Sequence, residues 1–225
     1  MKKTTFHLIE DYMISCMKDS AHDQEHIYRV LHLALMIAQT EPETDYDVLI
    51  CACLLHDIGR RAQFENPALN HAEAGAEQAF RFLLDHQFSE EFAEKVSDCI
   101  RSHRFRKNRP PQSLEAKILF DADKIDVSGA VGIARTLIYQ GSMSTPIYSL
   151  LPDGTISDGT ADTTPSFFHE YKYKLEHIYE HFYTVKGAAI AKQRQQAAAD
   201  FYQALYQEVK TSRDDGRSRL DTLLE

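Results

Sequence analysis

The side chains best suited to chemistry in this chain are histidines and aspartates at the edges of apolar segments. His56 and Asp57 follow Leu54 and Leu55 directly, and Ile58 comes next. Two polar groups at this position are either a capped pair on the surface or a pair that points into the interior, and the apolar neighbours favour the interior. A carboxylate buried alone costs on the order of several kcal/mol, so a buried Asp57 must be paired or must bind a cation.

Two further segments supply the same types of ligand atom. His26 lies at the start of an amphipathic segment, and residues 121–126 place three aspartates in an otherwise apolar helix. Asp123 and Asp126 are three apart and share a helix face, whereas Asp121 is predicted to point elsewhere, into solvent. Imidazoles and carboxylates from separate helices suit Mn²⁺, Mg²⁺, Fe²⁺ or Ni²⁺, with positions left for water. No cysteine spacing predicts a zinc site.

An anionic substrate needs basic side chains, and their positions are informative because acidic residues dominate. The chain has 25 Lys and Arg against 34 Asp and Glu, a net charge of −9, which excludes a broad nucleic-acid-binding surface. Lys124, beside Asp123, is the best placed single cation for a phosphate. The basic run within residues 104–109 is either a solvated loop or a phosphate gate. The full set predicted to bind substrate is Arg60, His71, His103, Arg106, Lys124, Lys174 and Arg194.

The order and spacing of these residues resemble the HD superfamily of metal-dependent phosphohydrolases. His26, residues 54–59 and residues 122–126 carry the resemblance, which extends over about residues 20–210. The pattern is most similar to a subgroup of small bacterial stand-alone enzymes that cleave nucleoside triphosphates to monophosphate and pyrophosphate. Ala21-His22-Asp23 and the glycine-containing residues 129–136 also fit that subgroup.

The resemblance implies that His26, His56, Asp57 and Asp123 bind the divalent metal. Asp123 is preferred to Asp126 because the family's last ligand follows an alanine and precedes a basic residue. Asp126 is then expected to orient a ligand or to handle protons. The implied catalytic residues are Asp57, Asp126 and Lys124. The implied mechanism is direct attack of metal-bound water on phosphorus, without a covalent intermediate.

The roles of two histidines and the exact bond that is cleaved each have more than one interpretation. Some HD relatives with two metals place extra histidines between the doublet and the last aspartate, where His71 and His103 lie. We favour simpler roles for them, a helix cap and a helix end stabilised by the dipole, with contacts to substrate phosphate left open. The alternatives to pyrophosphate release are a nucleotidase, a phosphodiesterase, or a non-catalytic nucleotide-sensing module that binds metal.

Hydrophobic periodicity predicts one all-α domain over residues 1–210, an HD-type helical bundle with its motifs in residues 20–140. Helices are predicted over 26–39, 47–58, 72–86, 90–103, 113–139, 167–184 and 187–210. Gly129 and Gly132 predict close helix packing or a break within the 113–139 segment. Residues 141–166 are rich in Gly, Ser, Thr and Pro and are predicted to form a long loop before the last two helices. Residues 211–225 are predicted to be a frayed polar tail.

The remaining features concern the cellular setting and the partners. The four cysteines form no CxxC pair, no apolar run reaches about 18 residues, and no apolar stretch follows Lys2 and Lys3. These observations predict a cytoplasmic protein without disulfides or a membrane partner. The absence of a P-loop and of a Gly-x-Ser-x-Gly motif excludes two common phosphate and ester sites. The predicted partner is a small phosphorylated substrate, in the first instance a nucleotide, and a homodimer is left open.

Overall fold

The computed structural model describes residues 1–17, 24–104 and 109–224, and the all-α prediction is confirmed. The helices are α1 Lys3–Cys16, α2 Gln24–Ala38, α3 Tyr46–Leu55, α4 Arg60–Glu65, α5 His71–Asp85, α6 Glu90–Ser102, α7 Leu114–Asp126, α8 Gly129–Ser142, α9 Phe167–Glu170, a π-helical turn Tyr171–Leu175, and α10 Val185–Leu224. Over these residues the extended backbone is limited to one antiparallel bridge between Leu150 and Ile156. No helix of the described segments combines the length and apolar composition needed to cross a bilayer.

The chain forms two compact units, which the prediction of one domain over residues 1–210 did not distinguish. The first unit comprises Met1–Asp126 with Phe182–Ala188, and the second comprises Val127–His181 with Ala189–Glu225. In the first unit, α2 packs on α3 and α7, and α3 and α5 both pack on α6. The four predicted metal ligands, His26, His56, Asp57 and Asp123, all belong to the first unit.

Helix α3 is the buried centre of the first unit. Asp45 caps its first turn by accepting hydrogen bonds from the backbone amides of Asp47 and Val48, at 3.1 and 3.2 Å. Seven of its ten residues, from Val48 to Leu55, are buried, because the segment is apolar on all sides rather than along one stripe. The helix ends at Leu55, so the two residues that follow, His56 and Asp57, are 0% and 2% exposed.

The second unit has its own core and an ordered long loop. Phe167, Phe168, Tyr171, Ala198 and Tyr202 are all buried in that core. Residues 143–166 are held together by one carboxylate, Asp162, which accepts hydrogen bonds from the hydroxyls of Ser149, Ser157 and Ser166. The predicted loop therefore has a defined conformation within this unit.

The helical segment predicted over 113–139 breaks at the glycines, as expected: α7 ends at Asp126, and Gly129, with a φ of +64°, begins α8. The predicted helix over 167–184 gives way to the π-helical turn after only four residues.

Residues 211–224 are polar as predicted but helical rather than frayed, since α10 continues to Leu224. Its polar end is held by contacts rather than by an apolar stripe: Arg213 Nε donates to the carbonyl oxygen of Gly154 at 2.9 Å. Gly154 has a φ of +80°, as a glycine in a tight turn can adopt. A contact between residues 59 apart leaves no periodic signal in the sequence.

Candidate metal centre

Six residues of the first unit form two adjacent groups that could each hold a metal ion. One group is His26, His56 and Asp123, and the other is Asp57, His71 and His103. They come from the first turn of α2, the end of α3, the start of α5, the end of α6 and the last turn of α7. Each residue offers one ligand atom, and the atoms of a group lie within 4.8 Å of one another.

The first group is compact around the Nε2 atom of His26. This atom lies 3.3 Å from His56 Nε2 and 3.4 Å from Asp123 Oδ1, and His56 Nε2 lies 3.9 Å from the same carboxylate oxygen. Two nitrogens and one oxygen at these separations can share one divalent cation of the borderline class. Asp123 is the partly exposed member, with 22% of its side chain accessible, so this group faces solvent on its side.

The second group consists of atoms that lack any other partner. Asp57 Oδ1 lies 3.4 Å from His71 Nε2 and 3.6 Å from His103 Nε2. All three atoms are buried and make no hydrogen bond within the described part of the chain. A buried polar atom without a partner costs about 1–3 kcal/mol, and a cation bound between these three atoms would remove the cost for all of them. These residues therefore fit a metal ion.

Asp57 faces both groups, one oxygen to each. Its Oδ2 lies 3.5 Å from His26 Nε2 and 3.8 Å from His56 Nε2, on the side opposite to Oδ1. A carboxylate in this orientation can bridge two cations. The structure thus brings together the four predicted ligands, His26, His56, Asp57 and Asp123, around one centre.

Hydrogen bonds at Nδ1 orient all four imidazoles. Nδ1 of His56 lies 2.8 Å from the carbonyl oxygen of Cys53, and Nδ1 of His103 lies 2.6 Å from that of Ile100. Since a carbonyl can only accept, both rings carry a proton on Nδ1, and Nε2 is the atom that faces the centre.

The other two imidazoles are oriented by side chains. Nδ1 of His71 lies 2.6 Å from Gln63 Oε1, and the amide of Gln63 is itself fixed because its Nε2 donates to the carbonyl of Leu69 at 3.0 Å. Nδ1 of His26 lies 2.7 Å from Asp126 Oδ2. Asp126 is fully buried and also accepts from Arg29 Nε at 2.8 Å, so it lies behind a ligand rather than among the ligands.

The protonation of the histidines follows from this environment. Burial lowers the pKa of His56 to about 4 and that of His71 to about 3, so both are neutral ligands at neutral pH. Burial also acts to lower the pKa of His26, but hydrogen bonds with Asp123, Asp126 and Asp57 outweigh it and raise that pKa to about 10. A cation that binds His26 therefore displaces its Nε2 proton.

The two ligand carboxylates are held ionised. Burial acts to raise the pKa of Asp57, but the charge of Arg60 and the surrounding histidines holds it well below its ordinary value. Burial also acts to raise the pKa of Asp123, but the hydrogen bond with His26 outweighs it and the pKa is lowered. Both groups therefore carry the negative charge that a metal site requires.

Of the predicted cations, Arg60 and Arg104 contact residues of the centre, and Lys124 follows Asp123 in the chain. Arg60 Nε donates to Asp57 Oδ2 at 2.6 Å, and its side chain is 39% exposed. Lys124 lies with its ammonium over the rings of Phe120 and Phe182. Arg104, from the predicted basic run, has its Nη1 3.3 Å from His71 Nδ1. Arg109 of the same run instead pairs with Glu73 at 2.6 Å.

The other predicted site residues are placed as follows. Arg106 lies outside the described residues, as do His22 and Asp23 of the N-terminal motif. Lys174 and Arg194 belong to the second unit, where Lys174 Nζ pairs with Glu170 at 3.1 Å. Their predicted contacts with substrate stay predictions.

The prediction that Asp121 is solvated is wrong. Its side chain is fully buried and accepts hydrogen bonds from the amides of Tyr183 and Thr184, at 2.9 and 2.7 Å, and from the Thr184 hydroxyl. The chain folds back here to begin α10, and the sequence does not show which distant amides need an acceptor.

A glycine pair that the sequence analysis missed brings His71 to Asp57. A Cβ on Gly59 would lie 2.2 Å from the carbonyl oxygen of His71 and 2.4 Å from the amide nitrogen of Gly75. Only glycine permits this approach, and it places the start of α5 against the chain that follows Asp57. In the sequence, only the order of His71 and His103 between the His-Asp doublet and Asp123 indicated their position. The contact between Gly59 and Gly75 leaves no pattern in the sequence.

The HD domain family matches residues 24–128, a range that contains all six ligand residues. YpgQ of Bacillus subtilis, an uncharacterised protein, is 29% identical over 135 residues, which is 58% of this chain and 63% of YpgQ, less than two thirds of its length. A solved structure of a predicted HD superfamily hydrolase from an uncultured Thermotogales bacterium is 30% identical, with a TM-score of 0.61, over 92% of this chain and 99% of that one. The crystal structure of YpgQ in complex with ADP has a TM-score of 0.71 at 24% identity, over 91% of this chain and 97% of that one.

Proposed function

Since this chain belongs to the HD superfamily and is an HD-family phosphohydrolase, we propose that it hydrolyses nucleoside triphosphates to monophosphate and pyrophosphate at a site of two divalent cations. The observation that carries the two-cation site is the trio of buried, unpartnered atoms Asp57 Oδ1, His71 Nε2 and His103 Nε2 beside the first ligand group. The choice of nucleotide and bond is the finer part of the proposal.

The charge of the ligands, together with that of the bound cations, determines which substrates the centre attracts. Divalent cations bound there would polarise phosphoryl oxygens and lower the pKa of a water molecule that attacks phosphorus. Asp57 and Asp123 are the carboxylates of the two groups, so two bound divalent cations would leave the centre positive. A polyphosphate neutralises that charge better than a neutral ester does.

Three side chains extend the positive region beyond the ligands. Arg60 contacts Asp57 and Arg104 lies beside His71, whereas Lys124 follows Asp123 in the chain. A guanidinium binds two oxygens of a phosphate at once, and an ammonium adds a compact charge. Several cations near the ligands suit a substrate with more than one phosphate.

Asp126 serves the reaction by holding a proton in place. Its carboxylate is occupied by His26 Nδ1 and by the guanidinium of Arg29, and it is buried. Its role in the proposed reaction is therefore to orient His26 and to keep a proton on His26 Nδ1. Of the two roles that the sequence left open for Asp126, the structure favours orientation.

A nucleotide is the substrate class with direct support from a relative. YpgQ has been crystallised with ADP, and the two proteins share their fold.

The test is a nucleotide panel assayed on metal-stripped protein refilled with Mn²⁺, Mg²⁺, Ni²⁺ or Fe²⁺. Asp57→Asn removes the bridging charge while keeping the side-chain volume, and Asp98→Asn is the matched control because Asp98 is 77% exposed on α6. We expect metal-dependent release of pyrophosphate by the wild type and the control, and a loss of at least a hundredfold in Asp57→Asn. Release of orthophosphate would instead indicate a nucleotidase, and tight nucleotide binding without turnover would indicate a sensor.

A further inference from the structure

Gln63 lies on α4, the short helix that follows Asp57, and its amide reaches the ring of His71 at the start of α5. Its Oε1 lies 2.6 Å from His71 Nδ1, and its Nε2 donates to the carbonyl oxygen of Leu69 at 3.0 Å. The contact with Leu69 assigns the two ends of the amide, because a carbonyl oxygen can only accept and must therefore face the NH₂ group. Oε1 is then the atom beside His71, where it accepts from an Nδ1–H.

The ring of His71 has two neutral forms to choose between. Its side chain is fully buried and burial holds its pKa low, so at neutral pH it carries one ring proton, on Nδ1 or on Nε2. With the proton on Nδ1, Nε2 presents a lone pair beside Asp57 Oδ1, at 3.4 Å, and can bind a cation there. With the proton on Nε2, the ring would donate to Asp57 instead, and Nε2 would be closed to a cation.

Two neighbours of His71 favour the form that carries its proton on Nε2. The buried carboxylate of Asp57 can only accept, so without a cation it attracts an Nε2–H. Arg104 Nη1 can only donate, and it lies 3.3 Å from Nδ1, where it suits a lone pair. Gln63 opposes both, because a lone pair on Nδ1 would repel Oε1 at 2.6 Å. The contact with Gln63 is the shorter one, so it decides where the proton lies.

We propose that Gln63 is a positioning residue that holds the proton of His71 on Nδ1 and so keeps Nε2 open for the cation of the second group. The presence of that cation rests on the proposed function, whereas the position of the proton does not. Gln63 thereby does for His71 what Asp126 does for His26, but it adds no negative charge.

Gln63 can be replaced without disturbing the core. No residue of α4 is buried, and Leu69 is exposed, so water can satisfy its carbonyl when the amide is lost. Gln63→Leu removes the acceptor for His71, and Gln63→Glu keeps one at the same reach. Gln207→Leu is the matched control, because Gln207 is an exposed glutamine of α10 whose amide donates to Thr211 at 3.0 Å.

The first test locates the proton of His71 in metal-stripped protein. Histidines are labelled with ¹⁵N, correlations between the ring nitrogens and the carbon-bound ring protons are recorded at neutral pH, and the His71 signals are assigned by their absence in His71→Gln. We expect an Nδ1–H in the wild type, in Gln63→Glu and in Gln207→Leu, and an Nε2–H in Gln63→Leu. An Nε2–H in the wild type, or an Nδ1–H retained in Gln63→Leu, would overturn the proposal.

The second test titrates the same metal-stripped proteins with Mn²⁺ in a calorimeter. The second ion should bind Gln63→Leu about tenfold or more weakly, because losing a residue that orients a ligand typically costs roughly 10- to 100-fold in metal affinity. The first ion, at His26, His56 and Asp123, should keep its affinity to within about twofold, and Gln63→Glu should restore that of the second. Equal weakening of both ions in Gln63→Leu, or of neither, would contradict the positioning role.

The outcomes separate this proposal from the proposed function. If the wild type binds one Mn²⁺ ion while Gln63→Leu still moves the proton to Nε2, then Gln63 positions His71 but the site of two cations is contradicted. If two ions bind with wild-type affinities while the proton stays on Nδ1 in Gln63→Leu, the site of two cations stands and the positioning role is contradicted. Pyrophosphate release in the nucleotide panel tests the reaction separately from both measurements.

Discussion

Substitution of Gly75 by alanine should weaken the second metal group and spare the first. Gly75 lies one helical turn after His71 on α5, so the two residues share a face. A Cβ at position 75 would lie 3.1 Å from the Gly59 amide nitrogen, with Gly59 Cα at 3.5 Å and the His56 carbonyl oxygen at 3.6 Å. Of these contacts only the first is too short.

The size of the effect follows from that contact. Ordinary contacts begin at 3.4 Å, so α5 and Gly59 must separate by about 0.3 Å. Metal–ligand distances tolerate about 0.2 Å, and a misplaced ligand environment typically costs 10- to 100-fold in affinity. We therefore expect Gly75→Ala to bind the second Mn²⁺ at least about tenfold more weakly. The first group uses α2, α3 and α7, so its affinity should stay within about twofold.

Calorimetric titration of metal-stripped protein with Mn²⁺ measures both affinities in one experiment. Gly141→Ala on α8 is the matched control, since a Cβ there meets nothing within 4 Å. Alanine is favoured over glycine within a helix by about 1 kcal/mol, which limits the loss of stability in Gly75→Ala. Two ions bound with wild-type affinities in Gly75→Ala would refute the packing argument. A single ion bound by the wild type would refute the second group itself.

Three further predictions concern stability. His103→Gln should bind one Mn²⁺ instead of two, so the rise in Tm on adding Mn²⁺ should be smaller than in the wild type. Differential scanning calorimetry with and without chelator measures that rise, and an undiminished rise would contradict the role of His103. Asp121→Asn should lower the free energy of unfolding by about 1–3 kcal/mol in urea titrations, because the buried amides of Tyr183 and Thr184 then share a weaker acceptor; no change would indicate that α10 begins independently of Asp121. Asp162→Asn should destabilise the protein at pH 7, and the destabilisation should shrink as the pH falls below about 4. Burial acts to raise the pKa of Asp162, but the hydroxyls of Ser149, Ser157 and Ser166 lower it overall, and the stability that comes from a lowered pKa is lost when the carboxylate is protonated. A pH-independent difference in urea titrations would show that the serines do not stabilise the ionised form.

The chemical types at the centre could be predicted from the sequence because they depend on local signals. An apolar helix that ends in His56 and Asp57 predicts a buried polar pair, and helical spacing separates Asp121 from Asp123 and Asp126. The family order of motifs then selected Asp123 among three aspartates. The structure places all of these residues in one unit, with Asp123 among the ligand atoms and Asp126 behind them.

The arrangements that depend on distant contacts could not be predicted in this way. His71 and His103 have ordinary helix-end positions in the sequence, and only the glycine contact between α5 and the chain after Asp57 brings His71 to the centre. Likewise, the part of α10 beyond Lys210 is held by a contact between Arg213 and a turn 59 residues earlier. This part of the helix is polar and has no apolar stripe, so its sequence does not predict such a contact.

Asp57 links the fold of the first unit to its chemistry. Its backbone follows a helix buried on all sides, so its carboxylate enters the interior and must be neutralised there. Arg60 supplies one charge through Oδ2, but Oδ1 faces only the unpartnered nitrogens of His71 and His103. His71 is neutral at neutral pH, and its Nε2 lone pair repels the carboxylate oxygen that it faces, so this half of the site is unfavourable as an ordinary protein interior. A cation bound among the same three atoms would make them mutually compatible, so the burial of α3 and the proposed second metal ion support each other.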